Sequence, residues 1–256
     1  MVKEIELNVP QDWTTITLKK YLRLQSDLKN YEDDEEAMVA LMLSHLCGLD
    51  AEYINKIPTN TYNEIKTLLT GFISNTEHPL QQIIKVNGIE YGFEPNLSEI
   101  AYGAYLDISK YQDMTINENW SSIMSILYRP IIDKKGDMYS IKAYDGKIDK
   151  ELFMDVTMDV HFGALFFFCS FINGLAGRYP EIFEGGGDAT QHQINFGKKW
   201  GNYQTIVELA NGDIRAFDEI TTLPLEKCLL YISYKQDKVT LENILHRESM
   251  KRQQQV

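Results

Sequence analysis

Apolar positions recur at three- and four-residue spacing over most of this chain. Such spacing predicts amphipathic helices. Leu18, Tyr21, Leu22 and Leu24 mark one face of an early helix, with Thr15 or Thr17 as its cap. Ala37, Met38, Leu41, Met42, His45 and Leu46 mark a second, opened by the carboxylates Asp33 to Glu36 and closed by Gly48. Ala51 to Ile57 is a short helix stopped by Pro58, and Tyr62, Ile65, Leu68, Leu69 and Phe72 line a longer one after it. Two stretches break this rhythm. Lys3 to Val9 alternates polar and apolar and reads as a short strand ended by Pro10. Residues 83–94 read as a hairpin, because Ile83 to Val86 and Ile89 to Phe93 flank Asn87-Gly88, the pair a type I′ turn favours.

Helical spacing resumes with Ile100, Ala104, Ile108 and Tyr111, then from Asn117 to Tyr128, where Pro130 is expected to end the helix. Asp133 to Lys150 is polar, with Gly136 and Gly146, and reads as an exposed loop or a second, weaker hairpin. Phe153 to Tyr179 is the most apolar stretch. Its greasiest part, Val160 to Leu175, falls short of the ~20 residues that span a bilayer and contains His161, Ser170 and Asn173. It is expected to be a buried core helix. Phe183 to Gln193 is glycine-rich and marks a domain boundary. Beyond it, Thr221 or Thr222 is expected to cap a helix with Pro224 near its first position. That helix runs through Leu225, Cys228, Leu229 and Ile232 to Val239, Leu241, Ile244 and Leu245. If unbroken it spans about 30 residues, or roughly 45 Å, and its end projects.

The expected fold class is α+β, mainly α-helical. A helical body of residues 1–183 carries the hairpin, residues 184–193 form a glycine-rich linker, and residues 194–256 form a C-terminal helical module with the long helix.

Composition narrows the function classes. Of 256 residues, 44% are hydrophobic, enough for a substantial core. The net charge of −12 argues against bulk nucleic-acid binding and against docking on an anionic membrane. It serves solubility, or it offers an acidic face to a basic partner. Cys47, Cys169 and Cys228 are widely spaced and read as small hydrophobes in a reducing compartment. The opening MVKEIELNVPQDW has no continuous apolar core and is not read as a signal peptide.

Catalytic signatures are missing. His45, His78, His161, His192 and His246 include no pair at i, i+3 or i+4, and neither HExxH nor CxxC occurs. Gly185-Gly186-Gly187-Asp188 lacks the Gly-Lys-Ser/Thr that a phosphate loop needs, and GxSxG is absent. No metal, nucleotide or other cofactor is expected, and the chain is expected not to be an enzyme.

The aromatic and cationic residues point instead to contacts. Trp13, Trp120 and Trp200 each sit near an expected helix start, and Trp200 lies beside Lys198 and Lys199 in FGKKWGNY. That grouping suits a docking hot spot or a helix-packing anchor. Arg129 in LYRPI can grip a carboxylate or tie down carbonyls at its helix end. Trp13, Tyr128, Arg129, Trp200, Tyr203, Leu241, Ile244 and Leu245 are the candidate partner contacts.

The order DW and ITLKKYLRLQ, then KVNGIEYGFEP, ILYRP, FGALFFF, FGKKWGNY, LANGD and LPLEKCLLYISY resembles tail assembly chaperones and tail or baseplate morphogenesis proteins of tailed phages. The likeness is greatest to those of Bacteroidetes phages, including the crAss-like group. It implies virion assembly through protein contacts without a cofactor, in the host cytoplasm during assembly, with the virion as a second location. The implied partners are tape measure, tube, baseplate or portal-proximal proteins, with a homo-oligomer also possible. The resemblance supplies no catalytic residues. The positions matching its pattern are Trp13, Tyr128, Arg129, Pro130, Trp200 and Tyr203. A head–tail connector or ring component of the mature virion is one alternative, and a host-takeover enzyme with an unrecognised site is another.

Overall fold

The computed structural model describes residues 7–31, 33–111, 116–183 and 190–253. Most of the expected strand at 3–9, and residues 184–189 of the expected linker, lie outside them. The fold is α+β and mainly α-helical, with a small antiparallel sheet. In chain order, α1 is Leu18–Leu28, α2 Glu35–Cys47, α3 Ala51–Ile54, α4 Thr59–Ser74, β1 Ile83–Val86, β2 Ile89–Phe93 and α5 Tyr102–Ser109. Then come α6 Trp120–Leu127, β3 Tyr128–Lys135, β4 Met138–Ile141, α7 Met158–Arg178 and α8 Pro180–Phe183. The chain ends with α9 Gln191–Leu209, α10 Phe217–Thr222 and α11 Leu225–Gln253.

Two compact units emerge, and neither is continuous in sequence. The first is Met1–Phe93, Asp113–Lys142 and Ile148–Phe168; the second is Glu94–Gln112, Ala143–Lys147 and Cys169–Val256. Contacts therefore group α5 with the C-terminal helices, rather than with the body ending at residue 183. The last three residues of the expected linker, 191–193, open α9.

In the first unit, local signals act as the sequence suggests. Thr17 accepts a hydrogen bond from the Lys20 amide (3.3 Å) and caps α1. Asp34 accepts from the Ala37 amide (3.0 Å), with Glu35 and Glu36 in the first turn of α2. Gly48 closes α2 at φ 70°. Asn87 and Gly88 turn the β1–β2 hairpin at φ 51° and 84°. The sheet order is β1-β2-β3-β4, antiparallel throughout.

Two expectations are corrected here. The helix before Pro130 ends at Leu127, and Tyr128, Arg129 and Pro130 lie in β3, opposite Phe93, Gly92 and Tyr91. The proline is tolerated because its carbonyl still accepts from the Lys142 amide (2.9 Å) while its missing N–H leaves no orphan donor. Residues 133–141 complete the second hairpin, turning at Gly136 (φ 62°). The apolar helix starts at Met158, five residues after Phe153. The preceding residues form turns that bond to the N-terminal segment: the Leu18 and Lys19 amides donate to the Val156 and Met154 carbonyls, and the Met158 amide donates to the Ile16 carbonyl (2.7 Å). Those pairings outcompete helix extension.

The core of this unit is aromatic. Trp13 lies 4.2 Å from Phe72 and 5.1 Å from Phe162, centroid to centroid. Its Nε1 donates to the Asn75 carbonyl (2.7 Å). Ser121 and Ser125 on α6 accept from the Phe153 and Asp149 amides (both 3.2 Å), which fastens the 149–153 segment to that helix. Gly163 on α7 is required by close approach, because a Cβ there would lie 2.5 Å from the Pro79 carbonyl oxygen. Gly163→Ala is expected to cost about 1–3 kcal/mol as backbone is pushed apart. A lower urea midpoint with an unchanged circular dichroism spectrum checks this.

In the second unit, α5 and the start of α11 are joined through backbone. The Tyr102 amide donates to Leu223 (2.8 Å) and the Leu225 amide to Ile100 (2.9 Å). Thr221 and Thr222 end α10 instead of capping α11.

Candidate protein-docking surface

The second unit leaves large apolar groups uncovered on two helices. α9 opens with a reciprocal cap: the Thr190 amide donates to Gln193 Oε1 (2.8 Å) and Thr190 Oγ1 accepts from the Gln193 amide (3.4 Å). Further along, Asn202 Nδ2 donates to Ser109 Oγ (3.1 Å) and fastens α9 to α5. Between these points every residue from 191 to 200 is exposed. Phe196, Trp200 and Tyr203 recur at i, i+4 and i+7 and share one face. Trp200 and Tyr203 are 40% and 48% exposed with rings 5.7 Å apart, and Tyr203 meets Phe217 edge-on at 5.6 Å. Lys199 Nζ lies 4.8 Å over the Trp200 ring.

A cleft of about 880 Å³ adjoins this stripe, floored by Gly197 and Gly201 of α9 and walled by α5, α10 and residues 144–146. Asp107 is satisfied within it. Tyr144 donates its hydroxyl to Asp107 Oδ2 (2.5 Å), and Lys110 pairs with Asp107 Oδ1. Burial first, and then that carboxylate, push the Tyr144 phenol well above its ordinary pKa, so it stays a donor. Asp145, Lys198, Lys199 and Asp218 line it as well, so the cleft carries charges of both signs. Among the described residues no three His, Cys, Asp or Glu side chains group as metal ligands.

On α11, Leu225, Cys228, Leu229 and Ile232 are buried. Burial pushes the Cys228 thiol up to about 11, so it is a packing group and not a thiolate. From Gln236 to Gln253 every residue is exposed, including Val239, Leu241, Ile244, Leu245 and Met250. Leu230, Tyr231 and Tyr234 are exposed on the packed half as well.

Five of the eight candidate contacts thus face solvent: Trp200, Tyr203, Leu241, Ile244 and Leu245. Three do not. Trp13, Tyr128 and Arg129 are buried in the first unit, where Tyr128 packs on Phe93 (5.1 Å) and donates its hydroxyl to the Gln81 carbonyl (2.7 Å). Their environment is core. Sequence reasoning missed Phe196, Leu230 and Tyr234. Their signal was present as helical spacing to Trp200 and Leu241, but periodicity alone does not separate a packed face from a free one.

α7 is the one described helix long and apolar enough to cross a membrane. Val160, Phe162, Ala164, Phe168 and Leu175 on it are nevertheless buried within the protein.

Compared with protein-family models, curated proteins and solved structures, the chain matches none.

Proposed function

We propose that this protein assembles a phage tail by docking helical partners on its second unit, without catalysis. The observation that carries the reading is the apolar surface left open on α9 and α11. A chain does not leave a phenylalanine, a tryptophan and a tyrosine at helical spacing in water without cost, and such groupings mark contact sites. The motif resemblance supports a contact in tail or baseplate morphogenesis, with the tape measure, tube or a portal-proximal protein as the proposed partner. A chaperone role follows from the chemistry: an aromatic stripe shields the apolar stripe of a partner helix until that helix polymerises.

Co-expression with each neighbouring tail protein tests this. A soluble complex with one of them is expected. Trp200→Ala with Tyr203→Ala should weaken it by about 10–100-fold, as loss of aromatic anchors does. Both side chains are half-exposed, so the fold should survive, and unchanged affinity in the double variant would reject the α9 face. Mass spectrometry of purified virions separates the two modes of action, because a chaperone departs and a connector or ring component stays at fixed stoichiometry.

A further inference from the structure

α11 carries two apolar faces, and only one is used. At about 100° per residue, Leu225, Cys228, Leu229 and Ile232 lie on one side of the helix. Leu230, Tyr234, Leu241 and Leu245 fall within roughly 60° of one another on the opposite side. They are 63%, 60%, 56% and 54% exposed. The stripe begins beside an open apolar groove of about 560 Å³ lined by Leu209, Ile220, Leu223, Leu230, Tyr231 and Tyr234. It ends on the 236–253 stretch, where every described residue is exposed. An isolated helix of that length is marginal in water, so its apolar groups call for a companion.

The spacing of the stripe is symmetric. Reading outward from the point between Asp237 and Lys238, Tyr234 and Leu241 are equidistant, then Leu230 and Leu245, then Lys227 and Glu248. We propose that α11 pairs antiparallel with α11 of a second copy, about a two-fold axis between residues 237 and 238. Tyr234 then lies level with Leu241 of the second copy, and Leu230 with Leu245. Lys227 meets Glu248 of the second copy at both ends of the seam, so opposite charges close it. Both residues are exposed; Lys227 is in none of the ion pairs among the described residues, and Glu248 has only a long i, i+4 contact with Arg252 (3.9 Å), which leaves its carboxylate open to a second cation. Asp237 and Lys238 flank the axis on the shoulders of the seam, in water. Each contact occurs twice, as an isologous interface requires. The end of one α11 also reaches the groove beside Leu223 of its mate. The pairing leaves the Phe196–Trp200–Tyr203 face of α9 free for an assembly partner. It does not depend on the phage reading, since it concerns this chain alone.

Sedimentation velocity on the full chain tests the pairing, and a dimer is expected. Leu241→Glu with Leu245→Glu should convert it to monomer, with circular dichroism unchanged because both residues are exposed. Lys227→Glu should weaken the dimer by about tenfold, and adding Glu248→Lys should restore it. A cysteine pair fixes the direction. Tyr234→Cys mixed with Leu241→Cys should form a disulfide-linked dimer, and Tyr234→Cys alone should not, because its mate lies about 10 Å away along the seam. A wild-type monomer at about 100 µM would overturn the proposal. So would a cross-link in Tyr234→Cys alone, which signals a parallel pair, or failure of the charge exchange to rescue.

Discussion

Trp120→Ala should destabilise the first unit by about 3–5 kcal/mol, the range for emptying a large aromatic from a packed core. Trp120 is fully buried, and every other residue of α6 is buried as well. That short helix holds the 149–153 segment through Ser121 and Ser125, so a cavity there also loosens the anchor of α7. The indole Nε1 is buried with no hydrogen-bond partner. Its contribution is therefore shape and dispersion, not polarity. Trp120→Phe should cost much less than Trp120→Ala, since it keeps most of the apolar volume and removes an unpaired donor. Urea unfolding followed by far-ultraviolet circular dichroism measures both. Equal losses in the two variants would mean that the indole N–H carries the stability.

Acid should weaken the same unit through His161. The ring is fully buried, with Nε2 3.2 Å from the Phe153 carbonyl and Nδ1 without a hydrogen-bond partner. Burial dominates and lowers its pKa to about 4, against smaller raising effects from the Phe153 and Val156 carbonyls and the Asp159 carboxylate. The folded state therefore holds the ring neutral, while the unfolded chain takes up a proton near pH 6.5. Stability from this group is whole above pH 6.5 and drains away as pH falls towards 4, where the loss levels off. Between pH 7.5 and 4.5 the loss is about 2.5 kcal/mol at 1.36 kcal/mol per unit. His161→Gln should remove that part of the pH dependence, so the difference between wild type and variant across the window isolates it from the carboxylates. Parallel pH profiles for the two proteins would show that His161 does not titrate on unfolding.

The division of labour between the units follows from where the aromatics end up. Those of the first unit meet each other: Trp13 with Phe72, Tyr128 with Phe93. Those on α9 and α11 meet water. The first unit accordingly behaves as a scaffold whose variants change stability. In the second, on the function proposed above, a substitution such as Trp200→Ala should change binding at little cost to the fold.

Much of the local structure was legible in the residues. Asp34, Gly48 and Asn87-Gly88 set caps and a turn by short-range chemistry, and the helical content and the 83–94 hairpin follow from periodicity. Residues whose fate depends on distant chain were not. Tyr128 to Pro130 reads as a helix end, yet becomes strand because β2 offers ladder partners some forty residues away. Residues 154–157 read as helix, yet pair with Ile16 to Lys19. The grouping of α5 with the C-terminal helices has no marker in composition at all. The same holds for exposure. Trp13, Trp200, Tyr128 and Tyr203 are chemically alike, and each sits in a helical or strand pattern that calls for cover. Sequence determines which side chains need an apolar neighbour, since that need belongs to the residue and its spacing. Only the tertiary structure decides which of them find one inside the chain, because burial is set by the meeting of remote segments; those on α9 and α11 that find none stay exposed to solvent.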